Sequence, residues 1–146
     1  MDNLKRYNSL LNEQLKENLH ILDLTREGNI EIKRGNIVRL SEISNLRQES
    51  IDRIKIIEGN IGSLWEEIKV NYDNIPPEFH DQITAVTNRL REAIEESISL
   101  DRDNREILLK IRSETLSNLE DLQTGKRALH GYKSSRKSTA IFNKKV

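Results

Sequence analysis

The prolines of this chain are confined to one place, the adjacent pair Pro76-Pro77, and on either side of them leucine and isoleucine recur every three or four residues. Proline removes a backbone donor and clashes with the preceding turn, so a helix does not run through such a pair. Spacings of three and four place side chains along one side of an α-helix. Long helices separated by few turns are therefore expected. Six glycines and two prolines are also too few for the many tight connections of an all-β chain.

Residues 2–34 put Leu4, Leu11, Leu15, Leu19 and Leu22 on one expected helix face, with Lys, Glu and Asn opposite. Lys33-Arg34-Gly35 reads as a helix end, with cations beside the last carbonyls and a residue tolerant of positive φ. Asn36 is placed to cap the next helix. That second helix, about 37–72, carries Leu40, Ile43, Leu46, Ile51, Ile54, Ile57, Ile61, Leu64 and Ile68. Gly59 and Gly62 each cost about 1 kcal/mol relative to Ala in a helix interior, so a kink or close helix contact is expected near them. A third helix, 77–124, sets Phe79, Ile83, Val86, Leu90 and Ala93 in heptad spacing, continued by Ser97, Leu100, Asn104, Ile107 and Ile111. Asn104, polar on an apolar seam, is expected to fix register. Past Ile111 the register drifts to Leu116, Leu119 and Leu122, which points to a change of packing partner.

At about 1.5 Å per residue the three segments span roughly 50, 54 and 72 Å. A two-helix hairpin would set roughly 105 Å against 72 Å, so a break at Gly35 and an elongated antiparallel bundle of long helices fit better. The fold class is all-α, with one domain over 1–124. Residues 125–146 have no apolar stripe and are expected to be a flexible basic tail. They hold seven Lys and Arg and no acid, which leaves 17 of the 24 basic residues against all 24 acidic ones in the body.

Few residues offer chemistry. The absence of cysteine excludes disulfides, thiol nucleophiles and cysteine-ligated zinc. His20, His80 and His130 stand apart, and none opens a His-Glu-x-x-His motif. Glu17 and His20 have the Glu-x-x-His spacing of di-iron bundles, but the second copy such a site needs is missing. Glu66-Glu67 and Glu95-Glu96 point about 100° apart on a helix and read as solvated carboxylates. The glycines are scattered rather than clustered as a phosphate loop requires. No catalytic, cofactor-binding or metal site, and no small-molecule substrate, is expected. No apolar run of about twenty residues and no basic-then-apolar leader is present, so the chain is expected to be cytoplasmic without membrane insertion.

What is left is apolar surface. Leu10-Leu11, Ile21-Leu22, Ile56-Ile57 and Ile107-Leu108-Leu109 are neighbours in sequence, so part of each set falls outside a narrow seam, either widening the core or meeting a partner helix. Trp65, Tyr72 and Phe79 flank the proline turn, as an anchor for a partner or, more commonly, as the closed end of a bundle.

Several stretches, in this order, resemble the FlgN-type flagellar export chaperones: the leucine-rich opening helix, Arg34-Gly35-Asn36-Ile37-Val38-Arg39-Leu40, Asp103-Asn104-Arg105-Glu106-Ile107-Leu108, and Leu122-Gln123-Thr124-Gly125-Lys126-Arg127-Ala128-Leu129-His130-Gly131-Tyr132. The ending Ile141-Phe142-Asn143-Lys144-Lys145 is similar too, with Asn143 where an acid is common in the family. The resemblance implies a helical cytoplasmic protein that escorts hook-filament junction subunits to the flagellar type III export gate. It implies client binding by Leu108, Ile111, Leu116 and Leu119 and gate engagement by Tyr132. The FliT-type chaperone of the filament cap protein is close in role, which leaves the client open. A structural coiled-coil adaptor would use the same stripes for permanent oligomerisation. A nucleic-acid binder would use the basic tail, although only Tyr132 and Phe142 are there to stack and the acidic body repels a polyanion.

Overall fold

A computed structural model describes the backbone of residues 2–137 and the side chains of residues 2–131. Helix α1 spans Asp2–Arg34, α2 Ile37–Ile68 and α3 Pro77–Lys137, with a 3-10 helix at Lys69–Asn74 and no strand among the described residues. The chain divides into two compact units, Met1–Asn104 and Arg105–Val146. The first is a three-helix bundle.

The break at Gly35 follows from backbone chemistry. Gly35 has φ 71°, its N–H donates to the Ile32 carbonyl at 3.1 Å, and the Asn36 N–H donates to the Glu31 carbonyl at 3.1 Å. Those two bonds form the Schellman arrangement that satisfies the last carbonyls of a helix. Asn36 then caps α2, accepting from the Arg39 N–H at 3.2 Å. The two helices fold back on each other: Asn3 donates to Glu67 at 2.9 Å, Gln14 to Glu58 at 3.2 Å and Arg53 to Glu17 at 2.9 Å, while Arg39 pairs with Glu27. As one partner number rises the other falls, so α1 and α2 are antiparallel. Helix α3 runs back along α2, where Arg47 forms a two-bond pair with Asp101 at 2.9 and 2.7 Å.

Helix α2 stops at Ile68, short of the expected 72. Asn71, at φ −117° and ψ 25°, leaves helical geometry, and the residue before a proline is pushed to extended backbone, as Ile75 is at φ −72° and ψ 137°. Ile75 is buried with Leu4, Leu10, Leu64 and Ile68, and the half-buried Tyr7, Trp65, Tyr72 and Phe79 pack around this group. Tyr7 and Trp65 have ring centres 6.0 Å apart, Trp65 and Tyr72 5.4 Å, and Tyr72 meets the His80 ring edge-on at 4.5 Å. The aromatic group closes this end of the bundle and is no exposed anchor.

Helix α1 departs most from its expected face. Leu4, Leu11, Leu15 and Leu22 are buried as expected, but Leu19 is 37% exposed, and Leu10, Ile21, Leu24 and Ile32 are buried instead. At about 100° per residue the buried set of α1 covers an arc of roughly 180°. The cause is two neighbours: α1 meets α2 through the pairs above and α3 through Leu11 and Leu15 against Val86, Arg26 to Glu96 at 2.6 Å and Asn29 to Asn104 at 2.8 Å. For Leu10-Leu11 and Ile21-Leu22, adjacency therefore means a wide core.

Asn104 is buried on the seam as the heptad pattern requires. Its oxygen accepts from Asn29 and its nitrogen donates to the Thr25 carbonyl at 3.4 Å. Neither a kink nor a close contact occurs at Gly59 and Gly62, since α2 is unbroken and a Cβ at either would meet nothing within 4 Å. Both lie on the outer face, where a glycine weakens a helix only through its propensity. Helix α3 passes the expected end at 124 and continues to Lys137. Gly125 costs only about 1 kcal/mol, the flanking Lys126, Arg127, Ala128 and Leu129 favour helix, and cations near a C-terminus suit the helix dipole. The part of the expected tail beyond residue 137 lies outside the described residues.

Candidate partner-binding surface

The second unit, taken by itself, presents one stretch of α3. Its apolar side chains are open: Leu108 is 48% exposed, Leu109 57%, Ile111 42%, Leu116 51%, Leu119 51%, Leu122 63% and Leu129 53%. The same helix buries Val86, Ala93, Ser97 and Asn104 in the first unit. Core burial thus ends at Asn104, ahead of the drift expected past Ile111: Ile107 is half-buried and Ile111, still in heptad spacing, is already exposed. The segment is helical throughout, and the Thr115 hydroxyl donates back to the Ile111 carbonyl at 2.8 Å.

The four residues expected to bind a client, Leu108, Ile111, Leu116 and Leu119, all lie on this open stretch but do not form one narrow line. Counting about 100° per residue from Ile107, Ile111 lies near 40°, Leu108 near 100°, Leu119 near 120° and Leu116 near 180°. Leu122, near 60°, and Leu109, near 200°, belong to the same arc but are not among the residues to which the resemblance assigns a client. Their signal was the run Ile107-Leu108-Leu109 and the drift to Leu122. Tyr132, expected at the gate, lies in the backbone of α3, and its side chain is outside the described residues.

Two other features of the first unit compete for a role. An open groove lined by Asn12, Leu15, Lys16, Glu17, Leu19, His20, Asp23 and Arg53 contains the Glu17-x-x-His20 spacing. Its Glu17 is committed to Arg53, whose guanidinium donates to it at 2.9 and 3.2 Å. Among the described residues no group of three or more His, Asp or Glu side chains could hold a metal ion. Exposed Ile37 and Val38 at the start of α2 and Ile56 further along are scattered apolar residues of the ordinary kind.

The Arg53 hydrogen bond is the main cause that holds the Glu17 carboxyl below its ordinary value of 4.5, against the opposing effect of burial. Glu27 is lowered in the same way by Arg39. A carboxyl whose folded pKa is depressed stabilises the fold above its unfolded value and loses that contribution as pH falls through the folded one. The melting temperature is therefore expected to hold steady above about pH 5 and to fall on further acidification. Arg53→Gln should make that acid loss shallower. A melting temperature that instead rises below pH 4.5 would contradict the assignment.

Compared with protein-family models, with curated proteins and with solved structures, the chain matches none. No helix among the described residues is long and apolar enough to cross a membrane.

Proposed function

We infer that the chain is a cytoplasmic, non-catalytic flagellar export chaperone, which binds hook-filament junction subunits or the filament cap protein and delivers them to the type III export gate. One observation carries the reading: seven leucine and isoleucine side chains between 108 and 129, each 42 to 63% exposed, on a helix that buries its apolar seam in the first unit. Contiguous apolar surface of this kind is characteristic of protein-binding faces. The stretches that resemble FlgN-type chaperones, in the same order along the chain, suggest the partner.

Leu108, Ile111, Leu116 and Leu119 take the client. Tyr132 engages the gate, aided by the cationic stretch around it, which is drawn to acidic surfaces at long range while the ring supplies the local anchor. The purified chain is expected to bind a junction subunit or the cap protein at micromolar concentration, measured by titration calorimetry. No binding to any of them removes the chaperone reading, and a stable oligomer indifferent to those subunits would install the coiled-coil adaptor instead. Tyr132→Ala is expected to weaken gate binding while leaving client affinity and melting temperature at wild-type values. Loss of the client in that variant would show that the two roles are not separate.

A further inference from the structure

The apolar face of the second unit is too wide for one helix. Ile107, Ile111, Leu122, Leu108, Leu119, Leu116 and Leu109 follow one another around α3 over roughly 200°. A single packed neighbour covers a stripe of about 100°. Within this same chain α1 supplies the comparison: its buried arc, roughly 180° wide, is covered by two helices, α2 on one side and α3 on the other. Leu108, Leu109, Ile111, Leu116, Leu119 and Leu122 stand exposed over a comparable arc of roughly 160°, with Ile107 half-buried at its edge.

Charge says which kind of helices fit. Arg105 and Arg112 lie near 160° and 140° on the same count, inside the arc, between the Leu108–Leu119 side and the Leu109–Leu116 side. Both are exposed, and neither takes part in an ion pair or side-chain hydrogen bond among the described residues. The acids of the stretch, Glu106, Glu114, Glu120 and Asp121, all fall on the remaining, outward arc. An occupant that closes over the apolar arc must therefore bring carboxylates to the line between its two contact zones, or leave two arginines desolvated without partners.

We propose that this face takes two amphipathic helices of one partner protein, packed side by side on residues 107–122 with acidic side chains along their junction opposite Arg105 and Arg112. The inference rests on the chaperone reading and specifies the form in which the client is held. The client is captured as a helical pair rather than as one strand of helix, and α3 becomes the third helix of an intermolecular bundle.

The test uses the full chain, with purified junction subunits and the filament cap protein as probes. Leu109→Ala with Leu116→Ala should weaken binding about a hundredfold, as should Ile111→Ala with Leu122→Ala. Arg105→Glu with Arg112→Glu should weaken it about tenfold and remove most of its salt dependence. Helical content and melting temperature should stay at wild-type values in all three variants, because every substituted side chain is exposed. Hydrogen exchange of the bound subunit should show two protected segments. If Leu109 and Leu116 can be truncated without loss, or a single segment is protected, the two-helix occupant is overturned while the chaperone reading stands. If the chain covers this face with its own copies and the subunits do not displace them, the occupant is a second copy and the proposal fails. If no subunit binds, both readings fall together.

Discussion

Leu22→Ala is expected to lower the stability of the chain by about 3 kcal/mol and its melting temperature by about 6–12 °C. Leu22 is 3% exposed and sits in the wide buried arc of α1, on the same line as Leu11 and Leu15, which are buried as well. Truncation there removes the transfer free energy of the lost carbons and leaves a cavity that three close-packed helices cannot fill by collapsing. Leu19→Ala, three residues away on the exposed side, is expected to change stability by no more than about 0.5 kcal/mol. Spacing alone gives these two leucines the same role, so urea unfolding of the pair separates the structure from the pattern. Equal losses at both positions would mean that α1 is packed on a different face.

The second large effect is on binding. Leu116→Ala combined with Leu119→Ala is expected to weaken client binding by about a hundredfold or more, because each buried leucine contributes about 1.5–3 kcal/mol to an interface that encloses it. Folding should be indifferent: both side chains are 51% exposed in the free chain, so melting should stay within about 2 °C of wild type. Calorimetric titration with a junction subunit and a thermal melt, on one preparation, read both quantities. A variant that binds normally but melts early would move Leu116 and Leu119 from the binding face into a core.

Much of the architecture could be read from residue order. The end of α1 was legible because Gly35 and Asn36 are the residue types that a Schellman turn and an N-cap demand, and both motifs are satisfied within a few residues. The turn before α3 was legible because Pro76 and Pro77 admit few backbones. The seam of α3 up to Asn104 was legible because the heptad repeat there coincides with actual burial of Val86, Ala93, Ser97 and Asn104. These features are local, or they follow one partner along one stripe.

Tertiary structure alone decided the rest. Periodicity counts apolar positions on a helix but not the neighbours around it, so it chose Leu19 for the α1 core, left Leu10 and Ile21 open between core and partner face, and did not select Leu24; all three are buried because α1 has helices on two sides. Composition likewise gave no sign that α3 would run through Gly125, since a penalty of about 1 kcal/mol is outweighed by the helix formers on both sides. Leucines beyond Asn104 look the same in sequence as leucines before it. Whether such a residue is core or open surface depends on whether another helix lies against it, which the residue itself does not encode.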